Sequence, residues 1–559
     1  MTQELGQSIP PETSHAVSVS LPSWKANVGY EEGEDWVLSK MKTGYPRIQR
    51  FAEEIVDHYG LPGDRALLFP SRNVARRCKD FFHAQDPSLP PQQIRVIEIA
   101  PPHSLRKSED EGSLKSDIWA VLFPRDAFSI AKTYWQHTGD GVSSRRAEFC
   151  HHRYHEWSQK PHSGGEETQS NKSRLSKGPR RYQNRPSIDD GNHVNGSTRS
   201  MNGQSSASLT EGAESQEYFQ FIEERFGRNL NPAFAASAKL AIRRRISGSL
   251  TANVDLGDAA KIEGNPEGTR KVKDFSEDDK WGPGCLFYGN GSLEDLDDLE
   301  LRLNQGERFL ALFCEFPGNP LLKCPDLQRI RSLADKFDFA VVVDETVGNF
   351  MNVHVLPYAD FVVSSLTKVF SGDSNVMGGS LVLNPQSRYY HLMRKTLVNE
   401  YEDNYWAEDA LFMERNSRDF VSRIERINVN AEAVCKVLQA HPRVKAVYYP
   451  KHSSTRPFYE RCRNPNGGYG GLLSATFYST AEAVTFFDRI EIAKGPSLGT
   501  NFTLCSPYTL LAHYGELDWA AQFGVEADLV RVSVGLEDTH ELAHKFEHAL
   551  AVVEAISRS

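Results

Sequence analysis

The chain is most constrained between residues 310 and 379, where short apolar runs alternate with one amphipathic segment. Leu310–Phe316 and Phe339–Val343 are too short for helices and too uniformly apolar for a half-exposed sheet, so they read as buried parallel strands. Between them, a segment starting at Pro325 and Asp326 carries Leu327, Ile330, Leu333, Ala334 and Phe337 on one face at helical spacing. This is a β-α-β unit, whose parallel strands need such a crossover. A third run, Phe361–Val363, opens into the polar stretch SSLT, then Lys368 and a glycine-bearing turn.

Open α/β sheets take ligands at the carboxyl ends of their strands. Asp344 ends one strand and Lys368 follows another, so both are expected at one crevice. A lysine partly removed from water has a lowered pKa, and its neutral amine can form a Schiff base with a carbonyl, that of pyridoxal phosphate (PLP) included. A carboxylate in the same crevice can keep a pyridine nitrogen protonated and make the ring an electron sink. Ser365 and Thr367 offer hydroxyls to a phosphate. Each residue also has an ordinary reading: Lys368 as a solvated loop lysine, Asp344 as the cap of a turn.

Taken in order, EFPGNP (315–320), VVVDET (341–346), SSLTK (364–368) and DSNVMGG (373–379) resemble the Cys/Met-metabolism, or transsulfuration, family of PLP enzymes, and its fungal cystathionine γ-synthase branch most of all. The resemblance implies that Lys368 is the Schiff-base lysine, that Asp344 partners the ring nitrogen, that Ser365 and Thr367 touch the phosphate, and that Asn319 lies near the ring hydroxyl. DLVRVSVGLED (528–538) is similar to the family's carboxylate-binding segment, which implies that Arg531 clamps the substrate α-carboxylate; PSLGTNF (496–502) places Ser497 at the same group. Read without the family, Arg531 is a salt-bridged arginine at a strand start. ERFGRNL (224–230) resembles the segment by which one subunit reaches its neighbour's cofactor phosphate, implying a role for Arg228 and a homodimer or homotetramer with shared sites. Phe226 stands where that segment carries tyrosine.

The chain departs from the family pattern between Leu250 and Trp281. The family places a strand and a serine-glycine-methionine turn there, whose amides cradle the phosphate; here the interval is polar and SGM occurs nowhere. Losing two charge-assisted bonds to phosphate costs roughly 3–6 kcal/mol, so weak cofactor retention is expected. ALLFPSRNVARRCKDFF (66–82) offers a polar turn at Ser71 and Arg72 as an alternative anion site, and Phe128 is a candidate to stack on the ring. Both segments equally read as plain strand-turn-helix units, and that reading is preferred.

The fold class expected is α/β, PLP fold type I: a mixed, mostly parallel seven-stranded-type sheet domain with a smaller C-terminal α+β domain. Residues 156–215 have almost no aliphatic content and read as a disordered linker. The expected organisation is an N-terminal α/β extension (1–155), that linker, a PLP-binding domain lacking part of its usual N-terminal half (216–395) and the C-terminal domain (396–559). A net charge of −10 argues against nucleic-acid binding. No apolar run reaches membrane-spanning length and no secretory signal opens the chain. Eight scattered cysteines without CxxC spacing suit reduced thiols in a cytoplasmic protein. CHHRYH (150–155) is the one histidine cluster, and because its spacing matches no structural zinc pattern no metal is expected there.

The activity the resemblance implies is γ-replacement, joining an O-acyl-L-homoserine and cysteine into cystathionine, with small amino acids as substrates. Cystathionine γ-lyase and homocysteine synthase chemistry stay open, as does a catalytically weak paralogue serving as an oligomer partner.

Overall fold

The computed structural model describes residues 4–13, 15–41, 45–101, 116–158, 232–250 and 285–558. The linker, Arg228 and the polar interval after Leu250 lie outside the described residues.

The N-terminal region is built on a three-stranded antiparallel sheet of β1 (Asp64–Phe69), β2 (Arg95–Ile99) and β3 (Ile118–Pro124), with β3 in the middle. Successive side chains on a strand face opposite ways. Accordingly Phe69, Val121 and Phe123 pack under α2 (Arg72–Gln85) and α3 (Phe128–Thr138) on one face, while Leu68, Ile118 and Ala120 pack under α1 (Tyr45–Tyr59) and α4 (Ser144–Ser158) on the other. Ser71 caps α2 by accepting from the amide of Val74.

The central sheet runs β4 (Ala311–Glu315), β5 (Ala340–Asp344), β6 (Phe361–Ser365), β7 (Gly379–Leu383). The first three are parallel and β7 is antiparallel. The β-α-β unit read from the sequence is present: α7 (Leu327–Phe337) is capped by Asp326 and buries Leu327, Ile330, Leu333 and Ala334, with Phe337 half-buried. Before it come α5 (Ala235–Leu250) and α6 (Leu293–Asn304), the latter opened by a Ser292–Asp295 capping box. One expectation of burial does not hold: Leu310 is 84% exposed, since it precedes a strand that has a single neighbour among the described residues.

Helices α8 (Tyr390–Glu400), α9 (Ala407–Asn416) and α10 (Phe420–Ala440) lead into a second mixed sheet of five strands. Its order is β10 (Ala493–Lys494), β11 (Leu504–Pro507), β12 (Val530–Ser533), β9 (Leu472–Phe477), β8 (Val444–Tyr448). All six residues of β9 are buried, beneath α11 (Thr480–Arg489) and α12 (Thr539–Arg558).

Two features tie the N-terminal region to the rest. Arg145 of α4 is buried and donates to Asp409 Oδ1 at 2.9 Å, with its guanidinium 3.9 Å from the centre of the Phe412 ring on α9. The N-terminal arm also crosses the molecule: the amide of Val17 donates to the carbonyl of Ser374 at 2.9 Å, and that of Leu21 to the carbonyl of Lys494 at 3.0 Å.

Candidate functional site

Asp344, Ser365, Thr367 and Lys368 meet at the carboxyl ends of β5 and β6, as the strand pattern requires. The Thr346 amide donates to Asp344 Oδ1 at 2.8 Å, and the Ser365 amide donates to Thr346 Oγ1 at 2.8 Å, so the two strand ends are stitched together. Loss of water pushes the Asp344 carboxyl up, against the opposing pull of its hydrogen bonds to Thr346. A cation beside it would offset that loss. The Thr367 hydroxyl donates to the Gly378 carbonyl at 3.3 Å and accepts from the Gly378 amide at 3.1 Å, which closes the glycine-bearing turn. The Ser365 hydroxyl makes no hydrogen bond among the described residues and is the more available of the pair.

The turn Pro496–Gly499 is pressed against Lys368. Gly499 has φ +69°, and a Cβ there would stand 2.6 Å from the Val369 amide nitrogen and 2.8 Å from Lys368 Cβ, so only glycine permits the approach. Lys368 Nζ reaches Ser497 Oγ at 3.4 Å. The turn is braced from below by β12: Arg531 donates to the carbonyls of Pro496 and Ser497 at 2.9 and 3.1 Å, and Ser533 Oγ accepts from the Gly499 amide at 2.7 Å.

Arg531 is buried, and its guanidinium also donates to Asn319 Oδ1 at 3.3 Å and lies 4.5 Å from the Tyr508 ring centre. Among the described residues no carboxylate lies within ion-pair distance, so the salt-bridged reading fails. Burial pulls the guanidinium down to about 10, a value that still leaves it charged at neutral pH. Asn319 is held in turn by its amide, which donates to Glu315 Oε2 at 2.8 Å. The structure therefore brings together Asn319, Arg531, Ser497 and Lys368.

A small cavity opens on the other side of Lys368, between Thr346, Asn349, Ile427, Leu498, Gly499 and Ser533. Lys368 itself lines it together with Thr346, Gly499 and Ser533, so it adjoins the convergence just described, although Asp344, Ser365, Thr367, Asn319 and Arg531 do not line it.

The donor set suits PLP and an amino acid: an amine at a strand end, a desolvated carboxylate with no cation paired to it among the described residues, a spare hydroxyl, and a buried guanidinium whose hydrogen-bond partners among those residues are neutral. The alternative phosphate turn does not. Ser71 Oγ donates to Glu402 Oε2 at 2.5 Å and the Asn73 amide group donates to Glu402 as well, so the start of α2 already holds an anion belonging to the chain. Phe128 has Arg65 stacked over one face of its ring at 4.6 Å and is otherwise an exposed side chain.

Sequence reasoning missed Arg423. From α10 this buried guanidinium donates to the carbonyls of Val369, Phe370 and Asn416 at 2.8, 2.9 and 2.9 Å and to Asn501 Oδ1 at 2.8 Å, fixing the segment that follows Lys368. The available signal was an arginine beside Ile424 on the apolar stripe of a helix.

Comparison with known proteins places these observations in a lineage. Residues 291–551 match the family model described as Cys/Met metabolism PLP-dependent enzyme, and residues 47–143 match that of the fungal trans-sulfuration enzyme N-terminal domain. The chain is 49% identical to cystathionine gamma-synthase of Neurospora crassa, with 99% of each chain covered. It is 38% identical to the cystathionine gamma-synthase-like enzyme iboG2 of Amanita muscaria, covering 98% of this chain and 96% of that one. Against cystathionine gamma-synthase of Saccharomyces cerevisiae it is 35% identical, covering 98% and 99%.

Proposed function

The chain belongs to the Cys/Met-metabolism family of PLP-dependent enzymes, and we propose that within it the protein is a cystathionine γ-synthase, joining an O-acyl-L-homoserine to L-cysteine. Membership makes it a fold-type-I transsulfuration enzyme acting on small amino acids. The observation that supports an amino-acid substrate is Arg531, a buried cation hydrogen-bonded among the described residues to neutral groups alone and sharing the Pro496–Gly499 turn with Lys368; the synthase reading is supported by the 49% identity to a cystathionine gamma-synthase along 99% of both chains.

Lys368, Asp344, Ser365, Thr367 and Asn319 would hold PLP, with Arg228 added from a neighbouring subunit in a dimer or tetramer. The cofactor supplies an electron sink conjugated to the substrate's Cα. Arg531 would donate to the α-carboxylate in exchange for part of its present bonds to Asn319 and to the turn carbonyls, with Ser497 beside it, and so present Cα to Lys368. The Lys368 amine would take the proton from Cα and pass it on to the conjugated system that the bound cofactor supplies before taking one from Cβ, and would return a proton to each carbon after exchange at Cγ. There the C–O bond to the acyl group breaks, the acylate leaves, and the cysteine sulfur forms the new C–S bond. Asp344, desolvated at the end of β5, holds positive charge close by. Among the described residues no helix is long and apolar enough to cross a membrane; the eight free thiols support a reducing compartment such as the cytoplasm.

Purified protein is assayed for cofactor absorbance and for cystathionine formed from O-succinyl- or O-acetyl-homoserine and cysteine. Bound cofactor with cystathionine as product is expected. Release of 2-oxobutyrate from cystathionine instead identifies a lyase, and failure to retain the cofactor identifies the weak paralogue that the polar interval 251–280 suggests.

A further inference from the structure

The spacing of CHHRYH matches no structural zinc pattern, and of its side chains His151 and His155 gather in the fold as candidate ligands. The fold supplies another. His151 and His155 stand one turn apart on α4, and α1 lies across that face and brings Glu54 to them. His151 Nε2 is 2.8 Å from Glu54 Oε2, His155 Nε2 is 3.0 Å from the same oxygen, and the two Nε2 atoms are 3.0 Å from each other. Three potential ligand atoms thus close a nearly equilateral triangle, and they form the only such group of candidate ligands among the described residues.

We propose that Glu54, His151 and His155 form a binding site for a divalent transition-metal ion, zinc being the best match. Two imidazoles and one carboxylate are the borderline donor set that zinc takes, with a fourth position left for water. A tetrahedral ion with bonds of about 2.0–2.1 Å sets its ligands roughly 3.3–3.4 Å apart, so each edge of the triangle opens by about 0.3–0.6 Å. Glu54 and His155 are the more exposed corners, at 31% and 41%, so the adjustment falls on side chains that are only partly packed. His151 is the fixed corner, at 18% exposure and stacked on Phe51 at 4.8 Å.

The two helices have different duties. α1 covers one face of the β1–β3–β2 sheet through Phe51 and Ile55, whereas α4 carries Arg145 into Asp409. An ion bridging them clamps the helix that anchors the N-terminal region onto its own sheet. Its contribution is structural, and it lies outside the machinery around Lys368.

The test uses full-length protein with its cofactor, treated with chelator and exchanged into Zn²⁺ alone. One zinc per chain should survive gel filtration and raise the thermal midpoint, and Co²⁺ in its place should give the visible bands of a four- or five-coordinate ion. Glu54→Gln keeps the shape and hydrogen-bonding reach of the side chain, and His155→Asn alters an exposed one, so both should fold. Each should weaken zinc by more than the 10- to 100-fold that outer partners of a metal site typically contribute. Far-ultraviolet dichroism and cofactor absorbance should stay unchanged in both. Wild-type protein that binds no more zinc than the Glu54→Gln/His155→Asn double variant would overturn the proposal and leave a carboxylate shared by two hydrogen-bonded imidazoles; so would zinc binding that leaves the Co²⁺ bands and the midpoint unaffected by either substitution.

Discussion

Gly499→Ala tests whether the close packing of the Ser497 turn on Lys368 is what sets the lysine's position. Two costs add. An alanine at φ +69° pays the left-handed penalty, roughly 1–2 kcal/mol. Its Cβ then meets a backbone nitrogen at 2.6 Å and Lys368 Cβ at 2.8 Å, and an overpacked site of this kind costs about 1–3 kcal/mol. Together they predict a loss of about 2–5 kcal/mol. Gly33→Ala is the control, because φ is +75° there and nothing lies within 4 Å of an added Cβ, so only the first cost applies, about 1–2 kcal/mol. Urea denaturation of both variants separates the terms, and the steady-state rate reads the displacement of Lys368: a shift approaching 1 Å lowers turnover by about 10²-fold in Gly499→Ala and leaves Gly33→Ala unaffected. Equal stability losses in the two variants, with normal turnover in Gly499→Ala, would refute the reasoning.

The same site yields three further expectations. Asp344→Asn should fold normally and lose turnover on the order of 10²-fold, since an amide cannot hold positive charge as a carboxylate does; near-normal rates would move that role elsewhere. Arg531→Ala should raise KM for the amino acid by an amount equivalent to about 2–5 kcal/mol while cofactor absorbance is preserved, and parallel loss of both would mark Arg531 as structural. Glu345 is buried with Oε1 unsatisfied, and burial pushes its carboxyl well above the usual range of about 4.3. The folded chain therefore holds a proton that the unfolded chain releases, so this residue's contribution to stability is full below about pH 4.3 and falls as pH rises. Glu345→Gln should flatten that decline, read as denaturation midpoints at pH 5 and pH 8; an unchanged slope would show that the carboxyl is not the cause.

What could be read from the sequence was local. Leu327, Ile330, Leu333 and Ala334 repeat with the period of a helix, and short apolar runs define β5 and β6, so the strand ends carrying Asp344 and Lys368 follow from neighbours along the chain. What could not be read depends on pairs distant in sequence. Arg423 reaches the carbonyls of Val369 and Phe370, Arg531 meets Asn319, and the anion at Ser71 is Glu402. None of these pairs leaves a periodic trace, because each joins one side chain to one atom. Leu310 erred in the other direction: apolarity alone does not say whether a strand has neighbours on both sides.

The arm that joins Val17 to Ser374 and Leu21 to Lys494 has a consequence for the order of assembly. The arm is synthesised well before either of its partners. At about 5–20 residues per second, Ser374 follows Val17 by roughly 18–71 s and Lys494 follows Leu21 by roughly 24–95 s, so the first contact can close before the second has a partner. The turn following Lys368 is thus completed by an earlier part of the nascent chain closing over a later one, and a cofactor arriving as that turn is made meets it without its cover.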